Sequence, residues 1–551
     1  MKKIYLAALL GILLFNNLKS QNFNWAKREG LYAYDYGYGI VTDNAGNVYV
    51  AGKYEDTANF SGITLPCAGN HDIYLAKYNS AGTIAWVRTG GGTLGDYAHA
   101  VACDGANNVY VGGEIEGFNN PISFPGSSIT LTCVGGNDAV ICRYDLNGNL
   151  LWARSAGGNY NDKVLGITYD NAGSVFVCGL FTDTITFGGT TTIYGKGNED
   201  IFVAKYSATG VFQWVRQAGG PDREEAKSIK CDASGNVYVC GMYNNGTIYG
   251  SQTLTCTPGY ADAFVAKYSN IGTLLWVKTG GGSYDDLAWS LTMDNAGKIY
   301  IGGEFNASAN FGSTQLITSG QNDVFVACYD QSGNVMWAKG AGGPVIDRAR
   351  GIGTDGTNIF ITGQFGITAN FGSHSAVATD SSDIFFASLD NNGNFINVAT
   401  VGGTPDAYES LGYESGIAIT AEPSGNVYAT GALLNGGVFG STSLSAYSRT
   451  DVFITKITQL VGVNSYALND KAATMYPNPG SGNVTIELNK FVNQKTETTV
   501  YNSLGAIVNK RSDESISKIN MDLSDQDGGV YYIELKIADG EVLRQKLIIQ
   551  K

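Results

Sequence analysis

Six tryptophans set the frame of this chain. Trp25, Trp86, Trp152, Trp214, Trp276 and Trp337 follow one another at 61, 66, 62, 62 and 61 residues. Sixty residues past Trp337 the frame reaches Asn397, which lacks the indole. The same devices recur within each period. After Trp276 come a Gly-rich loop (Gly280-Gly281-Gly282), an acid at Asp286, and a strand-like run ending in the turn Asp294 to Gly297. The run KIYIGG, a 20-residue connection, the run DVFVACY opened by Asp323, and the closing run NVMWAK complete the unit. Gly in the turn tolerates the positive φ of a tight hairpin. Short apolar runs bounded by turns read as strands buried on both faces.

Seven such units fill residues 22 to 457. A period this long, built from four short strands, predicts an all-β fold: a seven-bladed β-propeller of four-stranded blades. The strand count leaves one mismatch. The last unit stops at DVFITKI (Asp451 to Ile457) without a fourth strand, while the chain opens with an orphan one, NFNWAKREG (Asn22 to Gly30). Residues 23 to 28 are therefore expected to pair with 452 to 457 and close the ring, because an open sheet edge is a liability.

Residue types that recur seven times serve something done seven times. The aromatics Tyr49, Tyr110, Phe176, Tyr238, Tyr300, Phe360 and Tyr428 mark the second strands. Asp72, Asp138, Asp200, Asp262, Asp323, Asp383 and Asp451 open the third strands and are expected to cap turns. Another acid precedes each first strand: Asp35, Asp96, Asp162, Glu224, Asp286, Asp347 and Glu414. Two and four residues later stand small side chains, with Val164 the exception, as innermost strands require. These acids are candidates either for a ring around one mouth of the channel, able to attract a cation, or for local bonds to backbone N–H groups.

Between the small residues the sequence varies: Tyr36, Tyr38, Tyr97, His99, Lys163, Glu225, Lys227, Leu287, Trp289, Arg348 and Arg350. The blade layout sends the Gly-rich loops and long connections to one face. On that face Tyr36, Tyr38, Tyr97, His99, Trp289, Arg348 and Arg350 are the candidate ligand-binding residues. His71, His99 and His374 share no repeat position, so no histidine triad or metal site is visible, and no cofactor is expected. The turns Asp145 to Asn149 and Asp390 to Asn394 lack the successive acids of a calcium loop. The seventh unit departs most: Gly403 to Glu414 spans eleven residues where Gly343 to Asp347 spans four, with a DAYESLGYES stretch at 406–415.

The chain carries 35 Lys plus Arg against 49 Asp plus Glu, a net charge of -14. Losing residues 1 to 20, with Lys2, Lys3 and Lys19, would take it to -17. Such acidity repels phosphate backbones, so nucleic acid is not an expected partner. Residues 1 to 20 have the form of a signal peptide: Lys2-Lys3, the apolar run Ile4 to Phe15, and small Ser20 before Gln21. Twelve apolar residues are too few to span a bilayer, and no transmembrane segment is expected in the mature chain. The nine cysteines mostly occupy strand positions where sister units carry Ala, Gly, Val or Lys, and read as buried thiols.

Asp43 to Gly52 (DNAGNVYVAG) and Asp72 to Tyr78 resemble the bacterial seven-bladed β-propeller repeat family, a likeness covering about 435 residues. It implies the scaffold and says little of function. After a linker at 458 to 473, residues 474 to 551 form short alternating strands, predicted to be a small β-sandwich. This segment resembles the type A sorting domain of the type IX secretion system. The resemblance rests on Tyr476-Pro477-Asn478-Pro479, Gly482 to Ile486, Tyr501 to Gly505, Gly529-Val530-Tyr531 and the ending Lys546 to Lys551. It implies a gram-negative envelope, Sec export through the periplasm, recognition by the type IX machinery, and release or display at the outer surface. Asp56-Thr57-Ala58 and Asp183-Thr184-Ile185 resemble an O-glycosylation signal of bacteria that use this route. The expected protein is a secreted or surface-displayed monomeric propeller that binds an extracellular protein or glycan and is not an enzyme. An extracellular polymer-degrading hydrolase or lyase, or a purely structural envelope component, are the alternatives.

Overall fold

The computed structural model describes residues 22 to 549 apart from 171, 380, 404–413, 435, 446–448, 459–464, 468–472, 478–480, 489–493, 503–506 and 538–541. The signal segment, most of the seventh-unit insertion, and Asn478, Pro479, Gly505 and Lys551 of the sorting motif lie outside the described residues. The chain divides into two compact units, residues 1–461 and 462–551.

The first unit is all β. Blade 2 shows the plan: Tyr97–Cys103 innermost, then Val109–Glu116, Asn137–Tyr144 and Leu150–Ala156, each antiparallel to its neighbour. Seven such sets are present among the described residues, with innermost strands starting at Tyr36, Tyr97, Asp162, Glu225, Leu287, Arg348 and Ser415. Each innermost strand packs against the next, and the last returns to the first. Second and third strands are buried on both faces, as Val175–Phe181 and Asp200–Tyr206 illustrate. The apolar runs predicted this, because blades cover each other on both sides.

The clasp forms as expected. Phe23 pairs with Ile457, Trp25 with Lys456, and Glu29 with Val452, so Asn22–Glu29 is the outer strand of blade 7. The tryptophans bind blade to blade. Trp152 Nε1 donates to Ala208 O of the next blade at 3.0 Å, and Trp337 Nε1 to Asn391 O at 3.1 Å. Each indole lies on the glycine of the next blade's outer turn. A Cβ on Gly210 would stand 2.8 Å from Trp152, and one on Gly393 2.7 Å from Trp337. Asn397 is explained by the same geometry. Its neighbour, blade 7, takes its outer strand from the chain start and has no such turn for an indole to cover.

One element was not legible. The long connections fold back as small hairpins, such as Ala58–Phe60 with Ile63–Leu65 and Thr368–Phe371 with His374–Val377. The connection aromatic anchors each one: Phe60 is buried against Tyr74 at a ring distance of 4.6 Å. Asp56 and Asp183 precede these hairpins at φ 54 and 63, alongside Asn119, Ala307 and Ile367 in other blades. A left-handed backbone favours Asp and Asn, which accounts for the Asp of both tripeptides without any modification.

The second unit is a two-sheet arrangement. One sheet runs Ser465–Ala467, Val542–Ile549, Gly529–Ile537, Gln494–Asn502, Ile507–Ile516; the other holds Ala473–Tyr476, Asn483–Leu488 and Lys518–Asp522. Ser465–Ala467 falls in the stretch read as linker and pairs in parallel with Val542–Arg544. Val484, Ile486, Val500, Ile533 and Leu547 lie in its core.

Candidate functional site at the channel mouth

The repeated acids are seam elements. Asp96 shows the arrangement: its N–H donates to His71 O of the preceding blade at 2.9 Å. Its carboxylate accepts from Gly92 N–H at 2.8 Å and Glu116 N–H at 3.1 Å. Asp35, Asp162 and Asp347 accept the equivalent pair, whereas Glu224 accepts from Gly220 N–H and the Thr247 hydroxyl and Asp286 from Asn306 N–H. These six are fully buried, and Glu414 is buried too. They do not ring an open mouth, and this corrects the channel-mouth alternative. The physical reason is the crowded seam, where a buried carboxylate can accept from two backbone N–H groups at once.

Each sits beside the third-strand Asp of the preceding blade. That Asp presses on the Gly-rich loop: a Cβ on Gly91 would meet the Asp72 carboxylate at 2.2 Å, and one on Gly157 the Asp138 carboxylate at 2.2 Å. The loop glycines are therefore required by contact. Burial, more than the neighbouring acid, pushes Asp35, Asp96 and Asp347 up to about 7 and Asp162 and Asp286 to about 8. Among the described residues no group of three His, Cys, Asp or Glu side chains is placed to hold a metal. All nine cysteines are free thiols, and burial pushes Cys103, Cys133 and Cys142 up to about 12.

Three residues beyond each acid the innermost strand bulges. The register shifts between Gly37 and Gly39, Ala98 and Ala100, Val164 and Gly166, and at the same place in the other four blades. The extra residue is left out of the ladder, and a bulge re-aims its side chain. Those seven residues are Tyr38, His99, Leu165, Lys227, Trp289, Arg350 and Ile417. All line one cavity of about 360 Å³ in the central channel. Small flanking residues make room for the bulge, which is why the pattern small-any-small recurs.

Around the bulge layer the candidate residues come together in two sectors. In blades 1 and 2, Tyr36 stacks on Tyr38 at 5.6 Å, and Tyr97 lies between His71 at 5.4 Å and His99 at 5.8 Å. Lys53 Nζ stands 5.3 Å from the Tyr36 ring and 5.2 Å from the Tyr97 ring. In blades 4 to 6, Trp289 is flanked by Lys227 Nζ at 4.7 Å and the Arg350 guanidinium at 4.9 Å. Such desolvated cation–π contacts contribute about 1 to 2 kcal/mol each.

Two buried glutamates that sequence reasoning missed tie these sectors together in the same way. Glu114 accepts from His99 at 2.9 Å, from Asn137, and from Lys163 of the next blade at 3.1 Å. Glu304 accepts from Trp289 Nε1 at 3.0 Å, from Asn322 at 2.7 Å, and from Arg348 of the next blade at 2.8 Å. Burial pushes Glu114 up, but the His99 hydrogen bond and the His99 and Lys163 charges outweigh it and hold it at about 2. The available signal was variability: the glutamates occupy a second-strand position held by Lys53 in blade 1 and Met242 in blade 4. Glu225 pairs with Lys227 and Arg223. Burial, and then the Arg348 charge, pull Arg350 below the usual arginine value.

In the second unit, Tyr531 is buried and donates to Asp527 O at 2.9 Å. Tyr476, Pro477 and Gly529 are exposed, and Lys546 pairs with Tyr532 in the sheet.

Residues 474–550 match the model of the secretion system C-terminal sorting domain, and residues 24–53 that of the beta-propeller repeat. The first unit is thus a β-propeller with that repeat at residues 24–53, and the chain carries a type IX sorting domain, which supports secretion to the cell surface or extracellular space and interaction with the secretion machinery. Among curated relatives, an uncharacterized WD repeat-containing protein of Acanthamoeba polyphaga mimivirus is 29% identical over 27% of this chain and 12% of its own length. The regulatory protein FlaEY of Caulobacter vibrioides is 26% identical over 34% of this chain and 20% of its own. The chain thus spans a fifth or less of these relatives. Among solved structures, puromycin hydrolase covers 84% of this chain and 58% of its own at 10% identity and a TM-score of 0.34. Exotype rhamnogalacturonan lyase YesX covers 95% and 91% at 10% identity and a TM-score of 0.24. No helix among the described residues is long and apolar enough to cross a membrane.

Proposed function

We propose that this protein is a binding module of the cell surface or medium, and that its ligand seats at the loop-face mouth of the channel. One observation carries the reading. The same bulge occurs in every blade, yet it bears seven side chains of mixed chemistry: two aromatic, one imidazole, two cationic and two aliphatic. Residues that only build the ring repeat, as the seam acids and tryptophans do. A position held fixed in geometry and free in chemistry is suited to recognition.

The mature chain would fold after Sec export in a gram-negative periplasm and be passed outward by its C-terminal unit. Its partners are then the secretion machinery and an extracellular glycan or protein. A screen of the mature chain against extracellular glycans and proteins tests the reading, with Tyr38→Ala, His99→Ala and Trp289→Ala alongside. Hits should weaken about tenfold or more in these variants. Hits untouched by all three would place recognition elsewhere, and release of cleaved product would favour the enzyme alternative.

A further inference from the structure

We propose that the ligand of this mouth, on the binding-module reading above, carries a single carboxylate held between Arg350 and Tyr38, and that it is the uronate residue of an acidic glycan. The argument begins with charge balance in the bulge layer. Lys163 is paired with Glu114, Arg348 with Glu304 and Lys227 with Glu225. Arg350 forms no ion pair among the described residues, and its Nε is buried without a partner. Its guanidinium lies against the Trp289 ring at 4.9 Å, in the field of Glu304, which is itself bonded to Arg348. A half-exposed cation left without a carboxylate, while its neighbours are neutralised, is open to an anion that fits its planar fork.

Tyr38 supplies the second donor. Its hydroxyl makes no hydrogen bond within the protein among the described residues, and it lies in the field of Arg350. Ile417 of blade 7 stands between the two blades that carry them, a short uncharged step in the wall. The pair can hold one carboxylate, the guanidinium in two parallel bonds and the phenol in a third. Arg350 and Lys230 are the cations that line the cavity without an ion pair among the described residues, too few for a phosphate or sulfate cluster, and the net charge of -14 opposes any polyanion.

The rest of the cavity fits a compact polar body. Its volume of about 360 Å³ is at the small end of ligand sites. His99, Ser228 and Ser290 line it beside aliphatic side chains such as Val101, Ile167 and Leu291. A sugar ring suits this mixed wall, its C–H face against Trp289 and the aliphatic side chains and its hydroxyls on His99, Ser228 and Ser290, and capture of a peptide C-terminus is the competing outcome of the test.

Calorimetric titration of the mature chain with glucuronate and galacturonate, beside glucose, galactose, acetate and inorganic phosphate, tests the assignment. The uronates should bind at least about tenfold more tightly than the neutral sugars, the worth of one charged hydrogen-bonded contact. Arg350→Met should remove that preference, and the milder Tyr38→Phe should reduce it several-fold with the fold intact. A glucuronate-ended oligosaccharide binding better than the free sugar identifies the glycan as source, and free uronate binding as well or better identifies the monosaccharide. Equal binding of neutral sugars, indifference to Arg350→Met, tighter phosphate binding, or Arg350-dependent capture of a peptide C-terminus alone would each overturn it. A neutral ligand lost on Trp289→Ala would leave the binding-module reading standing while this inference falls.

Discussion

Two rings of side chains, three residues apart on the same seven strands, behave oppositely. The seam ring of Asp35, Asp96, Asp162, Glu224, Asp286, Asp347 and Glu414 repeats one chemistry and is buried. The bulge ring of Tyr38, His99, Leu165, Lys227, Trp289, Arg350 and Ile417 repeats one geometry with varied chemistry and is half-exposed. In a closed ring every seam must be satisfied alike, because a single bad seam opens the circle. The bulge residues are outside the ladder, so the fold places little demand on what they are. Acidity alone is a poor guide to function here, since six of the seam acids are spent on backbone N–H groups, while the bulge layer keeps a cation without an ion pair among the described residues.

The largest effect should come from breaking the ring itself. Removing residues 22–30 takes the outer strand from blade 7 and the Trp25 contact from blade 1. We expect loss of cooperative melting and a protease-sensitive edge; an unchanged melting curve would sink the closure argument. A reciprocal pair sharpens the role of the seams. Trp337→Asn should cost about 2 kcal/mol, from lost packing on Gly393 and the lost bond to Asn391. Asn397→Trp should gain nothing, because blade 7 offers no turn to receive it. Equal effects of opposite sign would contradict that explanation. Ligand binding should survive both changes.

The architecture was legible because the ring repeats itself: the tryptophan interval, the turn glycines and the orphan first strand specify blades and closure. What escaped the sequence escaped for identifiable reasons. Three-residue strands such as Ala58–Phe60 are too short to show a period. The bulge left a trace in the paired small residues, but smallness alone does not announce a register shift. The seam acids were ambiguous, since an acid ahead of small residues fits an open mouth or a crowded seam equally well. Glu114 and Glu304 were missed because their partners come from other strands and the next blade: His99 is 15 residues away from Glu114, and Arg348 is 44 away from Glu304. Of the binding candidates, Tyr38, His99, Trp289 and Arg350 line the cavity, while Tyr36 and Tyr97 back the aromatic sector and Arg348 anchors to Glu304.

A subtler distinction between the rings lies in their titration. Acids whose folded pKa is raised from 3.8 to about 7 or 8 bind more protons folded than unfolded between those limits. Stability from these groups is therefore present in acid and lost as pH rises through about 7 to 8. Glu114, held at about 2, has the opposite sign, but its loss begins only below its ordinary 4.5. Between pH 5.5 and 8.5 the seam acids should dominate, and the melting temperature should fall by on the order of a few °C. Asp96→Asn should flatten part of that slope while weakening one seam by about 1 kcal/mol, since an amide can accept only one of the two N–H bonds. Calcium should leave the melting temperature unmoved, because the carboxylates are buried and already bonded. A calcium-dependent rise that Asp96→Asn abolishes would return these acids to the list of ligand groups and break the contrast between the two rings.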